Sequence, residues 1–250
     1  MPAQPCPPVW RSLRQAYELM RGRFGHQHWW PGETPFEVCV GAILTQNTSW
    51  SNVERAIANL RAAGVLEPRP LYNLPLPALA ELLRPSGYFN IKARRLRAFL
   101  TVLVEECDAR LEALFTGDTP TVRARLLGIK GIGPETADSM LLYAGGHLSF
   151  VVDAYTKRIF QRHAWCQPDA DYAAVQALCV TALSQREPAA LLDYWQDFHA
   201  QLVMVGKHYC RPRDPRCADC PLAPLLPPAG DQSLPRRPRR GARSRDVRRA

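Results

Sequence analysis

The 250-residue chain has no apolar run long enough to cross a bilayer, which argues against a helical membrane protein. Its first ten residues, Met1 to Trp10, lack the charged-then-apolar order of a secretion signal, so a cytoplasmic location is expected. Internal repeats are absent. Strand signals are scarce. The one strand-like run, Leu148 to Val152, is too isolated to build a sheet. What is present in quantity is helical spacing of apolar residues. Val53, Ala56, Ile57 and Leu60 recur in this way, and so do Leu96, Phe99, Leu100 and Leu103. Turn signals such as Pro31-Gly32, Pro68 to Pro70 and Pro85 to Gly87 separate these segments. Short helices joined by tight turns imply an all-α fold.

The formal net charge is +9, and Asp231 to Ala250 alone, with eight Arg and two Asp, carries +6 of it. From Pro227 onward Pro, Gly and Arg dominate, so residues 227–250 are expected to be a disordered basic tail. Such a tail suits an anionic polymer or simply stays solvated, and composition leaves both open. A cytosolic chain is not expected to use its eight Cys in disulfides. Cys210, Cys217 and Cys220 cluster as C-x6-C-x2-C, a spacing that suggests metal.

Leu126 to Ala144, LLGIKGIGPETADSMLLYA, is the most informative stretch. Gly128, Gly131 and Gly133 frame a tight turn, and Pro134 suits the first position of the helix that follows. Free amides at that helix start, with Lys130 beside them, form a place for a phosphate. Shortly after comes Val151-Val152-Asp153, a carboxylate between a buried run and another helix. Asp153 is a ready N-cap, and a capping carboxylate is also well fixed for chemistry.

The order KGIGxxTA, a Gly-containing loop, then VVD resembles the helix-hairpin-helix DNA glycosylases related to endonuclease III. Two upstream segments agree: Ala42 to Thr48 (AILTQNT) and Gly87 to Ala93 (GYFNIKA), although Phe89 rather than Tyr88 directly precedes Asn90. The resemblance implies a two-lobed all-α fold with a DNA cleft and a C-terminal iron–sulfur loop. It implies one lobe over residues 30–138 and a second combining 1–29 with 139–226. Double-stranded DNA carrying damaged bases would be the partner of a monomer, with Gln46 filling the vacated space, Tyr88 wedging the opposite strand, and the hairpin residues Gly128, Lys130, Gly131 and Gly133 on phosphate.

The lyase members of this superfamily carry a Lys two residues after the last hairpin Gly, and that position here is Glu135. A carboxylate forms no imine, which leaves water as nucleophile. His28-Trp29-Trp30-Pro31, Thr48-Ser49-Trp50 and Glu135 together resemble the monofunctional 3-methyladenine branch. Within it, Asp153 and Glu135 would be catalytic, and Trp30, Trp50 and Lys207 would line the base pocket. Trp faces attract a flat cationic purine. The alternatives are an endonuclease III-like glycosylase and lyase for oxidised pyrimidines, and a DNA-binding module without catalysis. Ordinary core packing is the competing account of Trp50, as is a cap for Asp153.

The cysteine spacing matches three ligands of the family's [4Fe–4S] loop, and Leu226 stands where the fourth belongs. The resemblance therefore implies a cluster held by Cys210, Cys217 and Cys220. Cys6 is the first choice for the fourth ligand and Cys166 the second. Zinc on the three thiols and His208 is the other possibility.

Overall fold

Prolines and short polar side chains start most of the helices. Thr34 accepts from the Glu37 amide at 3.1 Å and opens α2, Pro35–Leu44. Asp118 caps α8, Thr119–Leu127, through the Thr121 amide at 2.8 Å, and Asp171 caps α11, Tyr172–Leu183, through the Ala174 amide at 2.8 Å. Each side-chain oxygen takes up an amide that has no partner within its helix. The computed structural model describes residues 9–29 and 32–227. Its other helices are α1 (Val9–Phe24), α3 (Trp50–Ala62), α4 (Pro68–Asn73), α5 (Leu76–Leu82), α6 (Phe89–Thr101), α7 (Leu111–Leu114), α9 (Pro134–Tyr143), α10 (Ala154–Arg162) and α12 (Pro188–His208). Among the described residues there is no strand. No helix is long and apolar enough to cross a membrane.

The apolar stripes close into two cores. One gathers Phe36 to Leu141 from α2 through α9. The other joins Leu13 to Met20 of α1 to Leu142, Phe150 to Val152 and the apolar faces of α10, α11 and α12. Helix α9 serves both, with Ala137, Met140 and Leu141 in the first and Leu142 in the second. The run Leu148 to Val152 is extended but unpaired, and Phe150, Val151 and Val152 are buried within the second core. Its apolar character reflects burial on all sides, which in a sequence looks the same as a strand.

Two ionic features hold the elements together. Asp138, fully buried on α9, accepts from Arg123 of α8 at 2.7 and 3.0 Å, Ser149 at 2.6 Å, and Tyr172 and Gln176 of α11 at 2.7 and 2.9 Å. Lys92, also buried, donates to the carbonyls of Leu44 at 2.7 Å and Ser86 at 2.6 Å. It thereby fastens the end of α2 to the loop before α6. Burial, with the charge of Arg95 adding to it, lowers its ammonium to about 8.

Candidate active site

The hairpin lies between α8 and α9, pinned by the buried side chains of Ile129 and Ile132. Gly131 is left-handed (φ 95°), and a Cβ there would lie 2.3 Å from Cγ of Arg95, so this position excludes any side chain. Gly128 closes α8, with an αR backbone, and Gly133 precedes α9 with an extended one and open space around it. Gly133 has no side chain to cap α9, and the exposed Lys130 sits on the same turn. Backbone amides and a cation thus share one surface, as an anion site needs.

Gln46 is half-buried and held by hydrogen bonds. Its amide donates to Gly131 O at 3.1 Å and Thr136 Oγ1 at 2.9 Å, and its oxygen accepts from Arg95. Three contacts bind it to the hairpin, to α9 and to α6. The neighbouring Asn47 is exposed and left-handed (φ 56°). Tyr88 is 69% exposed and also left-handed (φ 45°), and both border one concavity. Non-glycine residues in this conformation are uncommon and draw attention to both loops. Asn47 was not singled out by sequence reasoning. Its adjacency to Gln46 was visible, but its backbone conformation was not.

Asp153 caps α10, accepting from the Thr156 amide at 2.7 Å. Its other oxygen faces Nε2 of His199, on α12, at 3.7 Å. Burial raises the Asp153 carboxyl, but the His199 imidazole and the Thr156 amide outweigh it, so the net displacement is downward. Glu135, in the first turn of α9, goes the other way. The residue is exposed, yet desolvation by the surrounding protein, followed by the charge of Asp153, raises its carboxyl. His199 and Lys157 oppose that rise. Two neighbouring carboxyls are therefore pushed in opposite directions, a pattern that separates acid and base roles.

The aromatic candidates are more dispersed. Trp50 begins α3 and packs against the first core. Lys207, exposed in the last turn of α12, holds its ammonium 5.9 Å from the centre of the Trp29 ring. Trp30 and Cys6 lie outside the described residues, as does the Arg-rich tail beyond 227.

Cys210, Cys217 and Cys220 line one cleft, with Leu226 and His163 on its wall. Arg162 donates to the Cys210 sulfur at 3.2 Å. Burial, and then the charge of the other two thiols, raises the Cys220 thiol. Among the described residues no three Cys, His, Asp or Glu side chains stand close enough to hold a single metal ion. Zinc needs its sulfurs about 2.3 Å from one point, whereas a cubane spreads its ligands over separate corners. The donor set fits three corners of a cluster. The fourth, at Leu226, is apolar. Cys166 is not on this cleft, and His163, 7% exposed with Nδ1 on Leu225 O at 3.2 Å, is.

Comparison with known proteins agrees with this layout. Residues 40–185 match the HhH-GPD superfamily of base excision DNA repair proteins. A Methanocaldococcus jannaschii protein named as a DNA repair glycosylase is 44% identical over 84% of this chain and 93% of its own. The structure of H. pylori 3-methyladenine DNA glycosylase bound to 1,N6-ethenoadenine is 28% identical, covering 80% of this chain and 97% of that one with a TM-score of 0.69. A trapped endonuclease III–DNA covalent intermediate shares the fold at 21% identity and a TM-score of 0.73, over 87% of this chain and 95% of that one. With its hairpin, its two helical cores and a family match over more than half its length, the chain belongs to the HhH-GPD superfamily of base excision DNA repair glycosylases.

Proposed function

We propose that this glycosylase hydrolyses the N-glycosidic bond of alkylated purines, 3-methyladenine foremost, with water as the nucleophile. The observation that carries the reading is the carboxyl pair. Asp153 is held as a fixed anion, while Glu135 occupies the place where an imine-forming enzyme of this fold has its Lys. The 28% identity to a 3-methyladenine glycosylase supports the substrate class.

In this reading the damaged duplex lies between the two cores, its phosphates on the hairpin amides and Lys130. Gln46 fills the vacated space with Asn47 beside it, and Tyr88 wedges the opposite strand, since all three border one concavity. The extruded base reaches Trp30 and Trp50, with Lys207 at the rim, and Glu135 sets a carboxyl against its positive charge. Asp153 stabilises the oxocarbenium-like sugar and orients water. A methylated purine is already a good leaving group, so the protein need supply little acid help.

The test is base release from duplexes carrying one alkylated or one oxidised base, with borohydride present in parallel. Free base and no covalent adduct are expected, and Asn47→Ala should slow release more on a paired than on an unpaired target. A trapped adduct would refute hydrolysis and favour the lyase reading. Lys157, whose charge reaches Glu135, would then be the amine to replace.

The cysteine loop fits a [4Fe–4S] cluster of structural role on Cys210, Cys217 and Cys220. Thiolates are what such a cluster uses, and the Arg162 guanidinium at Cys210 suits its negative charge. Cys6 remains the proposed fourth ligand. Iron and sulfide analysis of anaerobically purified protein should find about four of each per chain for an intact cubane. No iron would refute the cluster. Unchanged iron in Cys6→Ser, with loss in His163→Gln, would transfer the fourth ligand to His163.

A further inference from the structure

His199 stands 46 positions from Asp153 and lies within a long helix. It is 4% exposed. Its Nδ1 is 2.7 Å from Tyr143 Oη, and that hydroxyl also lies 3.1 Å from Gln196 O, to which it can only donate. Its Nε2 is buried, has no hydrogen-bond partner within normal range, and points at Asp153 Oδ2. The proton inventory of this chain of groups is limited. If Tyr143 donates to Gln196, its oxygen accepts from Nδ1–H, and a neutral ring then turns a bare Nε2 lone pair toward Asp153. If Tyr143 donates to Nδ1, the remaining ring proton is on Nε2. The second assignment is the one that places an N–H opposite Asp153, where a bare lone pair would repel the carboxylate.

We propose that His199 is a positioning residue for Asp153, holding the carboxylate ionised and aimed through Nε2–H, with Tyr143 fixing the ring. The proposal rests on Asp153 being the catalytic anion. At 3.7 Å the pair is slightly open and would shorten when substrate excludes water, as catalytic contacts in free enzymes commonly do. The packing supports a fixed role. Helix α12 can approach α10 because Gly206 has no side chain: a Cβ there would lie 2.2 Å from Cδ1 of Tyr155. Arg158 of α10 further ties the two by donating to Gly206 O at 3.4 Å, and to Cys210 O just past the end of α12 at 2.7 Å. His199 is thereby carried to the start of α10.

The groups around Asp153 define the expected pH behaviour. From α9 come Glu135 and Tyr143, and from α10 come Thr156, Tyr155 and Lys157. From α12 comes His199, with Asp197 behind Tyr143. Burial, then the charges of Asp153 and Asp197, raises the Tyr143 phenol well above its usual range, so it remains neutral. Lys157 bears on Glu135. His199 is thus the titratable side chain that lowers Asp153. The active carboxylate is lost as pH falls through its pKa. Removing His199 raises that pKa and moves the acidic limb of the profile to higher pH.

Single-turnover base release from dimethyl sulfate-treated duplex DNA is measured across pH for wild type, His199→Ala, His199→Gln and Tyr143→Phe. The Asp153 carboxyl is followed in parallel by carbon NMR in the free enzyme. His199→Ala is expected to lower the maximal rate about tenfold or more, with KM little changed, and to move the acid limb and the carboxyl titration up by about one pH unit. His199→Gln, which returns a neutral N–H near Nε2, should restore much of the rate but little of the titration. Tyr143→Phe should have a smaller effect of the same sign. Should His199→Ala fail to fold, the Gln and Phe variants carry the comparison. Wild-type rate and titration in the folded His199 variants would overturn the proposal. If those variants are normal while Asp153→Asn is inactive, only the positioning role falls. If Asp153→Asn is active, the catalytic reading itself falls.

Discussion

Asp153→Asn is expected to slow base release on the order of 10²–10³-fold while leaving affinity for damaged duplex DNA within a few-fold of wild type. The substitution separates two duties of one side chain. Asn is as good an N-cap as Asp, so its oxygen continues to accept from the Thr156 amide and α10 keeps its start. Thermal stability should therefore change little. What disappears is the negative charge, which would stabilise the developing cation on the sugar. Rate is measured under single turnover with enzyme in excess, and binding by titration of the same duplex. A variant that turns over as fast as wild type would reduce Asp153 to a cap.

Asp138→Ala should destabilise the fold more than any other single substitution named above, by about 3–5 kcal/mol. Asp138 is fully buried and engages α8, α11 and the segment at Ser149 from its place on α9, so it joins the elements of both cores. Its removal leaves Arg123, 29% exposed, without its counter-charge, and Ser149, Tyr172 and Gln176 short of an acceptor. The Arg84–Glu81 pair is the contrast. Both side chains are at least 60% exposed, so solvent screens the pair and losing it should leave the melting point nearly unchanged. For a chain of this size the Asp138 loss corresponds to a melting point roughly 6–20 °C lower, read by circular dichroism. A shift under about 2 °C would mean that the network does not hold the cores together.

Much of this was legible in the sequence because the signals are local. Apolar spacing located α3 and α6, Pro134 located the start of α9, and the cap at Asp153 located α10. Glu135 and Asp153 could be named from their motifs for the same reason. Contacts made by chain closure were not legible. His199 reads as one of several polar residues along α12, and only the close passage of α12 against α10 brings it to Asp153. Gln46 could be named from its motif, but not its seat beside Arg95, whose stem occupies the space that Gly131 leaves. Leu148 to Val152 reads as a strand because burial on all sides produces the same apolar run. Trp50 shows the reverse limit. An aromatic residue beside a motif suits a pocket or a core equally, and here it rests on the first core with part of its surface left open.

The most direct measurement is base release by wild-type protein from matched duplexes carrying one 3-methyladenine, one oxidised pyrimidine or one uracil, with base loss and strand cleavage scored separately. The account predicts release of the methylated purine well ahead of the other two, with strands intact until alkali is added. Preferential release of the oxidised pyrimidine with concurrent strand cleavage would contradict it.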